Sequence, residues 1–404
     1  MKQHRVVVMF GVLTGLFAAG YGVMFTVLDD FRDQYGIGEA WLGAIVALGF
    51  FSSFFAQVLL APLADRGHAR RMVYIGMALD VAGLLTMAFG RTVAVLLVAR
   101  VASGIGAGLA LPAIRRMVVV ADRDNIGSNL GRMLAFDVIG FAMGPAISAV
   151  LVGPFGIAAP FIVISVATVA CLPLVSRVHV PEAGDEGVAI GRRFAFDLLR
   201  MRPFLGALSF GAAVFIMIGT FDALWVLVLD DLDTADWIAN VGITFFAVPM
   251  VFLASRGGRL AQRVGPFRVA TVGLSVATVM MFLYGRMPSG GAMLAVVVFH
   301  AISDGLTVSS PGIAVGMVVA EERQAGAQGM LGGVQTLVGG IAALVAGSLY
   351  QHHGRTTAYT VCAITMALLV IAGSWLSRGS KLGDGRAPGE LPSADASRPA
   401  DLSH

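Results

Sequence analysis

The chain has 404 residues, of which 57% are hydrophobic and only 13% charged, roughly half the charged fraction of an ordinary water-facing domain. That composition excludes a purely soluble fold and makes lipid the main solvent. The formal net charge of +3 does not signal nucleic acid, because the basic residues are dispersed between apolar runs with no aromatic-interleaved basic patch.

A hydrocarbon core about 30 Å thick requires roughly 20 apolar residues in a helix. Twelve runs of that size are present. The first, about 6 to 28, follows Lys2, His4 and Arg5 and ends in Asp29 and Asp30. Its length sets it apart from the shorter core of a secretory signal. The others cover about 41 to 63, 72 to 90, 93 to 114, 131 to 153, 157 to 176, 204 to 229, 237 to 255, 268 to 285, 291 to 319, 328 to 350 and 357 to 377. Each is predicted to be helical, since unpaired backbone amides in lipid are too costly for open strands.

Charge sets the orientation. Only Arg32, Arg91, Arg286 and Arg355 fall in the loops of one side, where Asp29, Asp30, Asp33 and Glu39, then Asp230, Asp231, Asp233 and Asp236, predominate. The other Lys and Arg residues, Arg100 inside span 4 excepted, lie on the opposite side. The positive-inside rule places that side, with both termini, in the cytoplasm of a multi-pass protein of the inner cell membrane. Trp41 and Trp237 begin spans at the outer interface and Trp375 ends one at the inner, where amphipathic rings settle.

The segment 177–203 is the longest internal connection and separates a six-helix bundle at 1–176 from a second at 204–377. Residues 378–404 are rich in Gly, Pro, Ser, Ala and Asp and read as a disordered cytoplasmic tail. Cys171 and Cys362 both lie in apolar runs, as small hydrophobes do, so no disulfide framework, metal site or cofactor is expected. No nucleophile with its base, phosphate-cradling loop or metal-ligand cluster is legible in an aqueous segment, so an enzyme is not expected.

The two halves repeat at a spacing of about 197 residues. Val27-Leu28-Asp29-Asp30-Phe31 returns as Val228-Leu229-Asp230-Asp231-Leu232. Ala61-Pro62-Leu63-Ala64-Asp65-Arg66, after span 2, returns after span 8 as Gly258-Arg259-Leu260-Ala261-Gln262-Arg263. Parallel six-span repeats related by an axis along the membrane normal are an architecture of secondary transporters, with the substrate site near the midplane between them.

Over residues 5 to 377 the sequence resembles the major facilitator superfamily. Gly258 to Gly265 is similar to that family's signature Gly-x-Leu-Ala-Asp-Arg-x-Gly, and the first-half copy keeps Leu63-Ala64-Asp65-Arg66, with Arg70 following. Arg100, in Leu96-x3-Arg100-x2-Ser103-Gly104-x-Gly106-Ala107-Gly108, matches a second signature, whose buried Arg is implicated in proton coupling. Gly140-x3-Gly144-Pro145 is similar to the signature of the drug:proton antiporter branch, although Ser148-Ala149 stands where Gly-Gly is usual. The resemblance implies a twelve-helix all-α membrane fold of two pseudo-symmetric bundles, with spans 1, 4, 7 and 10 lining the central cavity. It also implies an inner gate around Asp65, Arg66, Arg70, Gln262, Arg263 and Asp137, the alternative for Asp65 being a solvated loop charge.

Several intramembrane residues are candidates for mechanism. Arg100, about eight residues inside span 4, must face a wet cavity or a carboxylate; it either tunes a cavity acid or forms a structural ion pair, with Asp80 at similar depth. His300 and Asp304 are four apart in span 10, hence neighbours on one helical face, and form either a proton relay or a helix-packing hydrogen bond. His300 falls opposite Arg100 in the repeat, which favours a shared cavity-facing role. Asp222 in span 7 is a proton or substrate candidate. Trp225, one turn on, either stacks on a substrate or anchors at the interface. Gly104/Gly108 and Gly140/Gly144 supply small faces for close helix approach.

The reading that results is a monomeric secondary active transporter whose partners are the bilayer, protons and a small lipophilic or amphipathic compound exported by alternating access. Proton-coupled import, metabolite exchange and a membrane sensor that transports nothing are the alternatives.

Overall fold

The computed structural model describes residues 3–177 and 194–380, so most of the expected central loop and nearly all of the expected tail lie outside the described residues. Helices that are apolar all round cannot find a water-facing side, and lipid is the solvent that accepts them. In the first half these are α1 (Gln3–Thr26), α2 (Glu39–Leu59), α3 (Ala69–Phe89), α4 (Val93–Ala121), α5 (Ile126–Phe155) and α6 (Ala158–Ala170, prolonged by Leu172–Ser176).

The second half repeats the pattern with α7 (Arg202–Asp231), α8 (Asp236–Val264), α9 (Pro266–Tyr284) and α10 (Gly290–Thr307, continued by Ser310–Val318). Gln324–Leu376 holds two more helices, α11 to residue 353 and α12 from residue 355. They part at Gly354, whose φ of 77° is a conformation open to glycine and costly for other residues. The chain turns back there, because Gly373 near the end of α12 packs beside Gly206 at the start of α7. Ends that carry the basic loops therefore gather on one face of the bundle, called the basic end below, with the acidic loops at the other.

Within the first half, α1 lies directly on α5: a Cβ at Gly140 would collide with the Gly15 carbonyl, and one at Gly144 with the backbone at Gly22 and Val23. The Gly140, Gly144 and Pro145 segment is thus a helix contact, in which missing side chains let two backbones meet.

Three expectations are corrected. Helix α4 runs to Ala121, seven residues beyond the expected end at 114, which places Arg115 and Arg116 inside it. The second copy of the repeated loop is helical through Val264, whereas the first is a 3-10 turn over Ala61–Arg66. Span 10 is interrupted between Thr307 and Ser310. Gly67 (φ 82°) and Gly265 (φ 110°) nevertheless close the corresponding segments in both halves. Trp41 and Trp375 are about half exposed at helix ends; the Trp237 side chain lies outside the described residues.

Candidate functional site

The two halves meet most closely at the basic end, and the repeated loops make the joint. From the first half, Asp65 is 1% exposed and accepts hydrogen bonds from the backbone N–H groups of Ala325 (2.8 Å) and Gly326 (2.7 Å), the first turn of α11. A carboxylate suits the positive end of a helix dipole and its unpaired donors. Arg116 Nε donates to the same carboxylate at 3.1 Å, with both side chains almost wholly buried.

From the second half, Gln262 reaches the opposite way. Its Oε1 accepts from the N–H of Gly127 at 2.7 Å, in the first turn of α5, and its Nε2 donates to the carbonyls of Asp124 (3.0 Å) and Arg123 (3.3 Å). Beside it, Gly127 and Gly258 approach backbone to backbone, leaving no room for a Cβ on either. Arg123 pairs with Glu321 across the joint at 3.0 Å. One layer deeper, Gln57 Nε2 on α2 donates to Thr336 Oγ1 on α11 at 3.3 Å.

Arg66 and Arg263, expected in the gate, are exposed and make no hydrogen bond or ion pair among the described residues. The contacts across the joint belong to the carboxylate and the carboxamide beside them. Arg70 is half-buried. Asp137 on α5 is half-buried too and within electrostatic reach of Arg115 on α4.

Arg100 lies inside the first half, 2% exposed. Its Nε donates to the carbonyl of Ile45 on α2 at 3.3 Å and its guanidinium sits 4.7 Å from the centre of the Tyr21 ring on α1. Asp80 on α3, itself 2% exposed, interacts with it electrostatically.

His300 and Asp304 are adjacent, with Nε2 to Oδ2 at 3.3 Å. Tyr284 Oη lies 2.9 Å from His300 Nδ1 and Met217 Sδ 3.1 Å from Nε2, with Phe246 packed edge-on. Both members of the pair are fully buried within the second half. The expected cavity-facing role shared by Arg100 and His300 is therefore corrected: each is enclosed by helices of its own half. Trp225 is corrected likewise. It is 1% exposed and stacked on Phe221 at 4.9 Å in the second-half core, so it lines no cavity and anchors at no interface. Asp222, by contrast, is exposed on α7.

The residues missed from the sequence are Arg115, Arg116, Gln57 and Thr336. Two consecutive arginines after Pro112 look like the end of a span, and no one-dimensional signal distinguishes that from a buried pair facing the other half. Gln57 left one trace, as an amide two turns inside an apolar run.

These features define a helical membrane protein of two related halves that meet through polar contacts at one end. The chain belongs to the major facilitator superfamily: the profile of that family matches residues 10–235. It is 27% identical over 148 residues to the quinolone resistance protein NorA of Staphylococcus aureus strain MRSA252, a match covering 36% of this chain and 38% of that protein. It is also 27% identical over 278 residues to the multidrug resistance protein Stp of Mycobacterium tuberculosis, covering 66% of this chain and 49% of the relative. The chain thus matches about half or less of the length of these relatives. In fold it is similar to the proton:xylose symporter XylE, with a TM-score of 0.76 at 14% identity over 91% of this chain and 94% of that one.

Proposed function

We propose that the protein exports a small lipophilic or amphipathic compound in exchange for protons, by alternating access, and that its basic end faces the cytoplasm. The observation that carries this reading is the paired latch, Asp65 on the start of α11 and Gln262 on the start of α5. Hydrogen bonds between two packed halves can break and re-form as one half rocks on the other, whereas a continuous apolar core would not let them part. On this reading the described conformation is closed toward the cytoplasm and faces outward.

Export is supported by the similarity to NorA and Stp together with the Gly140 to Pro145 contact of α1 and α5. Proton coupling is supported by the intramembrane acids, of which Asp222 is exposed and Asp304 lies beside His300. Intramembrane carboxylates and histidines are otherwise too costly to keep.

The test is a proton-gradient assay in everted vesicles with a panel of lipophilic cations, zwitterions and acids. Substrate-induced collapse of the gradient in the wild type, lost in Asp222→Asn or Asp304→Asn while exchange at equilibrium persists, is the expected result. Substrate entry together with protons would make the protein an importer, and binding without flux would make it a sensor.

A further inference from the structure

We propose that the guanidinium of Arg115 is a binding site for the carboxylate of an amphipathic ligand, with Asp137 as the counter-charge that it faces when no ligand is bound. The proposal deepens the transport reading and rests on it only in that the ligand must reach the interface between the halves.

Arg115 stands in the last third of α4, next to Arg116, and the two arginines have opposite surroundings. Arg116 is sealed and bonded to Asp65. Arg115 is half-buried and, among the described residues, makes no hydrogen bond and no ion pair within 4.0 Å. It belongs to the interface, since a Cβ on Gly332 of α11 would stand 3.3 Å from its Nη1 and would also strike Gln57 Oε1. The bare backbone of α11 at Gly332 thus lets the second half come up against the guanidinium, which stands at the joint between the halves. Asp137, one helix over on α5, is close enough to interact with it electrostatically but is not bonded to it.

A guanidinium held inside a membrane bundle is costly unless water or an anion satisfies its donors. Five N–H groups in a planar fork match the two oxygens of a carboxylate, which is the anion that such a fork binds bidentately. Gln57 and Thr336, bridged to each other beside it, offer neutral polar groups that leave that charge preference unopposed. Asp137 limits the site: one negative charge on the ligand can replace it as partner of Arg115, while a second would be repelled.

The experiment uses the full chain in lipid nanodiscs and two fluorescent probes that differ only in charge, N-dansyl-phenylalanine and its methyl ester. The quantity read is the ratio of their affinities within one protein preparation, which cancels any general loss of fold. Wild type should bind the acid more tightly than the ester. Arg115→Gln should lower the acid-to-ester ratio about tenfold to a hundredfold, the worth of a charge-assisted pair. Arg115→Lys should lower it less, because a point charge lacks the fork. Asp137→Asn should raise it, by removing a competing negative charge. A wild type that fails to bind the acid, or a ratio unmoved by Arg115→Gln, overturns the proposal. If the ratio behaves as expected and wild-type proteoliposomes carry neither probe in either direction, the carboxylate site stands and the transport reading falls.

Discussion

Asp65 and Gln262 occupy the same place in the two repeats and do the same work with different chemistry. Each reaches across the joint to the first turn of a helix in the other half, Asp65 to α11 and Gln262 to α5. The carboxylate can only accept, so it takes two amides and needs a cation, which Arg116 supplies in an almost fully buried pair. A carboxamide both accepts and donates. Gln262 therefore satisfies itself on one amide and two carbonyls and remains only partly buried. Around the place in α10 that the repeat sets against Arg116, from Ile313 to Gly316, the second half has buried residues with no charge. Duplication preserved the geometry of the latch but not its charge, so the two latches should differ in strength.

Removing the charged latch should have the larger effect. In Asp65→Ala the buried Arg116 loses its carboxylate and two helix-terminal amides lose their acceptor. Breaking a buried pair on one side costs about 3 to 5 kcal/mol, all of it against the closed basic end. Spin labels at His68 and Arg268, exposed positions in opposite halves, should show a longer distance becoming the main population. Persistence of the short distance would mean that Asp65 does not hold the joint. Removing the arginine as well should repair part of the loss. Asp65→Ala combined with Arg116→Leu removes the guanidinium that the single variant deprives of this carboxylate, while the helix start stays uncapped, at about 1 kcal/mol. The closed population should therefore recover in the double variant relative to Asp65→Ala, and equal populations in the two would show that the ion pair itself contributes nothing.

What was legible in the sequence follows the same contrast. Twelve apolar runs and the repeat could be read because hydropathy and duplication are one-dimensional signals, and the pairing of Asp65 with Gln262 came from the repeat. The adjacency of His300 and Asp304 followed from helical spacing. Their enclosure did not, because which side of α10 turns inward depends on Tyr284, Met217 and Phe246, which come from three other helices. Trp225 was misread for that reason: its ring stacks on Phe221 in a core that hydropathy cannot tell from a lipid face. Arg115 and Arg116 fall just past the run expected to end at 114, since charge marks an end unless a partner from elsewhere in the chain meets it. For Arg116 that partner is 51 residues away.

The neutral latch should yield a smaller change. Gln262→Ala removes one amide acceptor and two donated bonds at a part-buried site, with no charge left behind. Neutral hydrogen bonds contribute about 0.5 to 1.5 kcal/mol each, and water can reach these groups. The same labelled pair should show a modest gain in the open population, well below that of Asp65→Ala. A shift as large would make the second latch the stronger one and reverse the comparison.

The smallest effect is expected at the rim, where Arg123 and Glu321 pair across the joint at 3.0 Å with side chains 22% and 45% exposed. Water screens such a pair and two long side chains lose freedom in making it, so its worth is about 0.2 to 1 kcal/mol. Arg123→Ala and Glu321→Ala should each raise the open population slightly, and the double variant should do no more than either alone, because the pair can be broken only once. Salt separates this contact from the Asp65 latch. At an ionic strength near 1 M the screening length falls to about 3 Å, so the rim pair should lose its contribution while the sealed pair of Asp65 and Arg116 keeps most of its own. An open population that rises with salt equally in the wild type and in Arg123→Ala would place the salt-sensitive contact elsewhere in the joint.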